Sequence, residues 1–511
     1  MNKKEFNKIF KNYHNFFTYD NSIKNNILLI DRGRPISIFK SVIISLILLK
    51  KKKSNLTILS SYKKSSWQYS AYQSFGTFRY ICIRDFFYLI RNLNYLILSI
   101  YEVIHCYFKW KNDLFDFINN FSINNIKIGH LIYDEYIKDN SRYILFNNFN
   151  LSFLWFLYKK VFLFHKIQRV IQDNNIKVLI CCSINYATYA SLAARIAIKK
   201  KIPVLHIDGQ FHIMRKEEDL DQSTFKLKDR EFKLFFKKRK KINFKSFIKK
   251  RFSGKLRTVM AGYKDLKNAN VNKKKEINRN NFINLYAKKQ KIKKIALFAP
   301  HAFTDANHGI GKKFVFNGYY DQLINTIDFI ANHKDDNILW VVNPHPTSKE
   351  YGELGQVDEV IQKYNKKNII ILPKNIKTIS AIKFSDLIIT GRGTIGIEAA
   401  SLGKKVIIAG YAIYEKLGFT IEPKNKAQYF KSLIDIKNFN KQSEKNTKKA
   451  LKYLYYFENH NSHGLPHNPI DEYYFHNKGN TITLNNFLDQ IKILNNNYFK
   501  KINLILEKYL N

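Results

Sequence analysis

The segment ITGRGTIGIEAASLGKKVI (389–407) carries residue types that bind phosphate where a strand passes into a helix. A helix beginning at Thr394 leaves its first N–H groups unpaired, and the helix dipole places partial positive charge beside them. Thr394 is a typical N-cap, Gly393 lets a ligand approach the backbone, and Arg392 offers two N–H donors to an anion. Glu398 falls on the helical face of Thr394 and is expected to accept hydrogen bonds from sugar hydroxyls. The alternative is a Thr-capped helix with a surface glutamate.

A second candidate is the segment WVVNPHPTSKEYG (340–352), in which a strand ends in Asn343-Pro-His345-Pro346. The two prolines restrict the backbone and so give His345 a defined direction. An imidazole at a strand end can donate to a phosphate oxygen or protonate a departing phosphate. The alternative is a histidine in a capped turn.

A third candidate is the segment APHAFTDANHGIGKKFVF (299–316), which contains His301, Asp305 and His308. Three such residues suggest a metal site, but no further ligand at a fixed spacing is evident nearby. A flexible glycine-rich loop at the end of the first strand, facing the cleft between the domains, explains the same residues, and we therefore expect no metal ion here.

Carboxylates are the candidates for acid, base or nucleophilic chemistry in the first half of the chain. Asp208 ends a strand in HIDGQFHI, and Asp134 lies between tyrosines in LIYDEYI. Either residue is a candidate catalytic carboxylate, and for either the alternative is the cap of a neighbouring helix.

The elements that hold these residues alternate between strands and helices. In the second half, strands are predicted at 294–299, 338–346, 368–372, 386–390 and 404–410, with helices at 316–332, 352–364, 376–384 and 394–402. In the first half, strands are predicted at 25–34, 55–62 and 127–136, helices at 36–49 and 153–174, and a βαβ unit at 176–213. This alternation is typical of two parallel α/β sheets, which bind ligands at the carboxyl ends of their strands.

The domain organisation follows from these elements. We predict two Rossmann-like domains. The predicted parts are an N-terminal domain (1–214), a basic connecting segment (215–292), a second domain (293–440) and a helical C-terminal tail (441–511).

The charge of the chain favours anionic partners. The 87 Lys and Arg residues exceed the 40 Asp and Glu residues, which gives a net charge of +47. Because the lysines are scattered and accompany a general excess of Asn, Ile, Phe and Tyr, codon bias explains much of this charge. Zinc-finger and RNP patterns are absent from the sequence, and we expect no nucleic-acid partner.

The longest apolar run, SVIISLILL (41–49), is much shorter than the roughly 20 residues of a membrane-spanning helix. It precedes Lys50–Lys53, so it is either a buried helix with a solvated basic end or a contact with an anionic membrane surface. The four cysteines lack metal or disulfide spacing, and the N-terminus lacks an apolar signal segment. We therefore expect a cytoplasmic protein with buried thiols, peripheral on the inner membrane if the second alternative holds.

Several of these motifs resemble a known family. The pair His345-Pro346, the Gly-Thr-x-Gly-x-Glu segment 393–398 before GKKVI, and the stretches HAFTDANHGIG, YDEY and YQSFG are similar to GT-B glycosyltransferases of bacterial surface polysaccharide assembly. The resemblance is to the capsule polysaccharide biosynthesis group, which includes Kdo transferases, and more distantly to GT-B sialyltransferases.

This resemblance implies a glycosyltransferase of capsule or lipopolysaccharide synthesis. It also implies the GT-B fold, in which two Rossmann-like domains face each other across a cleft, with 1–214 as the acceptor-side domain and 293–440 as the nucleotide-sugar-binding domain. Such an enzyme would transfer a sugar from a CMP- or UDP-activated donor to a glycan or glycolipid acceptor, without a metal or other cofactor. His345 and Thr394 would contact the donor phosphate, and Asp208 or Asp134 would serve as base or nucleophile. Two alternatives remain: a transferase of polyol phosphate from a CDP-alditol, and a non-catalytic, membrane-associated component of polysaccharide assembly.

Overall fold

The structure is a computed structural model, and two compact units make up the chain. Residues 1–135 and 148–224 form most of the first unit, and residues 225–460 form most of the second. The structure describes residues 18–31, 33, 37–38, 41–42, 44–45, 48–49, 53–73, 75–84, 93–139, 149–182, 184–207, 212–221, 229–237, 242–253, 274–288, 290–309, 314–333, 337–439 and 441–459.

The first unit contains a six-stranded sheet of order β3-β2-β1-β6-β7-β8. Its strands are β1 (Asn26–Ile30), β2 (Asn55–Ser60), β3 (Arg79–Cys82), β6 (Ile176–Cys181), β7 (Val204–His206) and β8 (His212–Met214), and β4 (Ser122–Ile123) and β5 (Ile126–Lys127) form a separate hairpin. All pairs in the larger sheet are parallel except β7 with β8. Strands β1 and β2 are buried along their whole length, because helices cover both faces of a parallel sheet.

The helices of the first unit are α1 (Trp67–Gln73), α2 (Leu93–Trp110), α3 (Leu114–Asn120), α4 (Gly129–Asp139), α5 (Leu151–Asp173), α6 (Tyr189–Lys199) and α7 (Glu217–Asp221). Described residues between 37 and 49 are also helical, and Ile38, Val42, Ile44 and Leu48 pack in the core of the six-stranded sheet. This burial supports the buried-helix interpretation of the apolar run. Of the basic residues after it, Lys53 is described and exposed, and Lys50, Lys51 and Lys52 lie outside the described residues.

The second unit contains a five-stranded parallel sheet of order β11-β10-β9-β12-β13. Its strands are β9 (Lys294–Ala299), β10 (Ile338–Val342), β11 (Ile369–Ile371), β12 (Leu387–Thr390) and β13 (Lys405–Ile408). Alternate residues of β9 enter different cores: Ile295 and Leu297 pack on one side of the sheet, and Ala296 and Phe298 on the other. The prediction of five strands with intervening helices is confirmed.

The helices of the second unit are α8 (Asp229–Lys237), α9 (Phe244–Phe252), α10 (Arg279–Tyr286), α11 (Tyr319–Asn332), α12 (Gln356–Gln362), α13 (Thr378–Phe384), α14 (Ile395–Ser401), α15 (Lys426–Ile434) and α16 (Glu444–Asn459), with a 3₁₀ turn at Asp435–Asn438. Within the basic segment, Phe247, Phe252 and Phe282 are buried in the core of this unit. Residues 460–511 of the predicted tail lie outside the described residues.

The predicted strand at 127–136 is wrong, because most of this stretch belongs to α4. Leu131, Ile132, Tyr133, Tyr136 and Ile137 are all buried, so this helix is covered on most of its circumference. An apolar run without a polar face has no helical periodicity in its sequence, and its isoleucines and tyrosines favour a strand by propensity.

Candidate functional site

The strand order of the second unit places three of the predicted segments side by side. Strand β9 pairs with β10 on one side and with β12 on the other, and the chain reverses its direction of sheet growth between β9 and β12. Such a switch point opens a crevice at the carboxyl ends of the strands. His301 follows β9, His345 follows β10 and Thr394 follows β12, so these three residues lie at one edge of the sheet. With about 4.8 Å between neighbouring strands, the ends of β10 and β12 are separated by roughly 10 Å.

His301 lies at the centre of this edge. Its ring stacks on Tyr319 with the centroids 4.5 Å apart, and on His345 with the centroids 5.5 Å apart. Burial lowers the pKa of His301 well below its usual range, and the positive charges of Arg392 and His345 lower it further against the attraction of Asp305. The imidazole is therefore neutral at pH 7. Its Nδ1 lies 3.8 Å from Oδ2 of Asp305, beyond hydrogen-bond distance.

His345 is half-buried in the Pro-flanked turn after β10. Its Nδ1 lies 3.0 Å from Oγ1 of Thr347 and 3.4 Å from the backbone nitrogen of the same residue. The ring of Tyr351 stands edge-on to it at 6.1 Å. These contacts hold the ring through Nδ1, which supports the prediction that the turn gives His345 a defined direction.

Arg392 joins the loop after β12 to the loop after β9. One of its terminal nitrogens donates to the backbone carbonyls of Asp305 at 2.9 Å and Ala306 at 3.1 Å, and its guanidinium lies 5.5 Å from the centroid of the Tyr319 ring. Tyr319 therefore contacts both His301 and Arg392. At Gly391, a Cβ atom would lie 3.1 Å from that same ring, so packing of Tyr319 is one reason for a glycine at this position.

The prediction that the side chain of Thr394 caps α14 is wrong. Thr394 has helical backbone angles, and its side chain makes no capping hydrogen bond. The hydroxyl of Thr390 instead accepts from the backbone N–H of Gly393 at 3.3 Å, and a Cβ atom at Gly393 would lie 2.9 Å from that hydroxyl. A phosphate contact by Gly393 and Thr394 stays a prediction.

Glu398 is not the surface glutamate that its sequence context suggests. It is 7% exposed, and its Oε1 accepts from Nε of Arg251 at 3.1 Å. Another arm of the same guanidinium donates to Oε1 of Glu458 at 2.8 Å. The structure thus assigns Glu398 to a buried ion-pair network, which commits one carboxylate oxygen and leaves the proposed contact with sugar hydroxyls as a prediction.

The remaining predicted residues lie on the same two loops. Asp305 is partly exposed and His308 is buried in the loop after β9. Asn343 continues β10 through a 2.8 Å bond from its backbone N–H to the carbonyl of Phe298, and Pro346 is exposed beside His345. All four therefore lie near the carboxyl ends of β9 and β10.

Glu353 is a residue of this region that the sequence did not single out. It is 2% exposed and accepts a hydrogen bond from the backbone N–H of Thr304 at 3.2 Å. Burial raises the pKa of Glu353 to about 8, partly offset by hydrogen bonds from Thr304 and Phe303, and Asp305 raises it further. This carboxyl ties the loop after β10 to the loop after β9. No local pattern predicts it, because both partners are distant in sequence.

The carboxylates of the first unit differ from expectation. Asp134 is buried in the middle of α4 and not at a strand end. Asp208 lies outside the described residues. A third carboxylate, Asp31, follows β1 at the switch point of the six-stranded sheet. It accepts hydrogen bonds from the backbone N–H of Gly33 and from the side-chain hydroxyls of Ser60 and Tyr72. Burial raises its pKa. The sequence signal that could have indicated this residue is an aspartate directly after the apolar strand NILLI.

Clustered metal ligands and membrane-spanning helices are absent from the described ranges of the chain. There, no group of three or more His, Cys, Asp or Glu residues is arranged to hold a metal ion. None of the helices in that part of the chain is both long enough and apolar enough to cross a bilayer. The four cysteines are free and buried, as predicted.

A known family matches most of the second unit. Residues 239–450 match the family described as capsule polysaccharide biosynthesis protein, which confirms the predicted resemblance over that segment. No curated protein matches the sequence.

Solved structures match over most of the chain but with low scores. S. aureus MnaA with UDP is 13% identical, with coverage of 84% of this chain and 91% of that chain and a TM-score of 0.27. Thermosulfurimonas dismutans KpsC, a beta Kdo 2,4 transferase, is 12% identical, with coverage of 55% and 79% and a TM-score of 0.30. UDP-GlcNAc 2-epimerase of Methanocaldococcus jannaschii is 14% identical, with coverage of 85% and 98% and a TM-score of 0.27.

Replacing Glu353 should change how stability depends on pH. The pKa of Glu353 is raised in the folded protein, so between the unfolded value of 4.5 and about 8 the folded state holds a proton that the unfolded state releases. Stability therefore falls as pH rises through this window, by up to about 1.4 kcal/mol per pH unit. Glu353→Gln has no carboxyl group to titrate at this position and so lacks this loss of stability. Its melting temperature should therefore rise relative to that of wild type as the pH increases from 5 to 8. If the melting temperatures of variant and wild type changed equally with pH across that range, the raised pKa of Glu353 would be contradicted.

Removing Arg251 should destabilise the second unit strongly. Arg251→Ala leaves the carboxylates of Glu398 and Glu458 buried without a counter-charge, which costs about 3–5 kcal/mol. The measurement is urea denaturation followed by circular dichroism. Lys250→Ala, one residue earlier on α9 and exposed, is the matched control and should unfold like wild type. Equal effects of the two substitutions would show that the ion pairs contribute little.

Proposed function

We propose that this chain, whose residues 239–450 match the capsule polysaccharide biosynthesis family, is a glycosyltransferase that uses a nucleotide-activated sugar. One observation carries the proposal. Three neighbouring strand ends bring His301, His345 and Arg392 together at the switch point of the second sheet. Two imidazoles and a guanidinium at one edge form a set of donors that suits a phosphate group.

The chemistry of the leaving group explains why such a set is useful. When a sugar leaves a nucleotide phosphate, negative charge grows on the phosphate oxygens. Donors that are fixed before the reaction stabilise this charge without rearranging, and they do so most strongly where water is excluded. The contacts of Arg392 with two backbone carbonyls, and of His345 with Thr347, hold both side chains in place.

Each residue has a distinct role in the proposal. Arg392 supplies a permanent positive charge. His301, neutral in the ligand-free protein because burial lowers its pKa, donates a hydrogen bond to the phosphate. His345 donates through Nε2, since Nδ1 is engaged by Thr347, and in its protonated form it gives a proton to the departing phosphate. Gly391 leaves room for the ring of Tyr319, which contacts both His301 and Arg392.

The donor and acceptor classes follow the family resemblance. We propose a CMP- or UDP-sugar as donor, a growing capsule or lipopolysaccharide glycan as acceptor, and a transfer step that needs no metal. Arg392 and the two imidazoles support this last point, because together they supply positive charge and donors where other enzymes use a cation.

Nucleotide binding tests the site directly. In a thermal-shift panel of CMP, CDP, UDP and GDP, the nucleotide of the donor should raise the melting temperature, because it binds only the folded form. His345→Ala and Arg392→Gln should abolish this shift and lower kcat/KM for sugar transfer by about 10²–10³-fold. His333→Ala is the matched control, because His333 precedes β10 and so lies at the opposite end of the strands.

Two results would contradict the proposal. A nucleotide shift that persists in both site variants would move the binding site elsewhere. A product that retains phosphate in its linkage would identify a polyol-phosphate transferase that uses the same donors.

A further inference from the structure

Helix α2 of the first unit exposes an unusually apolar outer face. Its sequence places six exposed apolar residues within an arc of about 100°, at 100° per residue. The most exposed are Ile97 at 74% and Phe108 at 69%. We call this set the α2 outer face; its members are Leu93, Ile97, Ile100, Tyr101, Ile104 and Phe108.

The opposite side of α2 accounts for the packing of the helix. Ser99, Val103, Cys106 and Trp110 are buried, and α2 packs along α5. The helix therefore has an apolar face on each side, and core packing explains only one of them. An exposed apolar surface of this kind marks an interaction site.

Neighbouring helices extend the exposed apolar surface of this unit. Phe115 on α3, and Leu151 and Trp155 on α5, are each more than half exposed. The helices α3 and α5 meet the C-terminal end of α2, because Phe117 packs on Trp110 and on Phe153. Exposed aromatic side chains such as these are enriched at the boundary between lipid and water.

Basic side chains accompany these residues. Lys109 lies 4.4 Å from the centroid of the Trp110 ring, and Lys159 lies 5.0 Å from that of Trp155. The single carboxylate of α2, Glu102, is paired with His165 of α5 at 2.9 Å and so belongs to the packed side.

Two acidic residues at the start of α3 are also engaged. Asp113 accepts from the backbone of Asp116 as the N-cap, and Asp116 accepts from the indole N–H of Trp110. The surroundings of the outer face thus combine lysine amines with carboxylates that have partners in the protein.

We propose that the α2 outer face docks onto a bilayer surface that contains anionic lipid. Apolar and aromatic side chains beside lysines are typical of helices that lie in the interface, where their apolar face enters about 5–10 Å. A chain with a net charge of +47 is attracted to anionic headgroups and repels a second copy of itself. This inference does not rest on the proposed enzymatic activity.

Vesicle binding tests the proposal in the full chain. Wild-type protein should float with vesicles of phosphatidylglycerol and phosphatidylcholine in equal parts, and less with phosphatidylcholine alone. The double variant Ile97→Glu, Phe108→Glu should bind the mixed vesicles at least about tenfold more weakly, because it places two charges in the apolar face. Both side chains are exposed, so the melting temperature should stay that of wild type.

A charge-matched control separates the face from the net charge. Leu234→Glu with Leu285→Glu changes two exposed apolar residues of the second unit in the same way and should bind vesicles like wild type. Equal vesicle binding by the two double variants would overturn the proposal. It would also be overturned if the α2 variant kept vesicle binding but converted a dimer into a monomer in light scattering, which would assign the face to a second copy of the chain.

Discussion

The parallel pairing of β9 with both of its neighbours determines where the candidate site lies. Phe298 stands opposite Val342 of β10 and Ile389 of β12, so the three strands end within one or two residues of each other. Each chain segment leaves the sheet at the same edge, and the first polar residues beyond the strands meet there. Substitutions that shift this register would move every side chain of the site at once, since successive residues of a strand point to opposite faces.

Much of this arrangement is predictable from the sequence because the strands are fully buried. Runs such as KIALFA and ILWVV stand out against polar loops, and their alternation with helices predicts a parallel sheet. The prediction that His345 and Thr394 share one edge of one sheet is therefore confirmed. What the pattern does not contain is strand order. The central position of β9, and hence of His301, emerges only from the fold.

The wrong expectations have separate physical origins. Glu398 lies in the interior because it pairs with Arg251, which also pairs with Glu458, and no helical spacing connects either residue to it. Thr394 has helical backbone angles and makes no capping hydrogen bond, and the backbone N–H of Gly396 donates to the carbonyl of Gly393. The sequence around Asp134 predicts a strand, although the residue lies in a helix. A helix that is buried on most sides lacks the polar stripe that identifies helices in a sequence.

The electrostatics of the site favour an anion for a reason that no single residue contains. Arg392 and His345 both lower the pKa of His301, which means that their positive charges repel a proton on that ring. A phosphate bound among them would attract the same proton, so it would raise the pKa of His301 and allow the ring to become charged as the anion enters. Without a ligand, His301 stays neutral, so the buried site carries less positive charge. A negatively charged ligand would stabilise the protonated form of the ring. The carboxylate of Asp305, 3.8 Å from Nδ1 of His301 and partly exposed, raises the pKa of His301 without offsetting the effect of burial. In the proposed function, the set of donors is therefore complementary to a phosphate in charge.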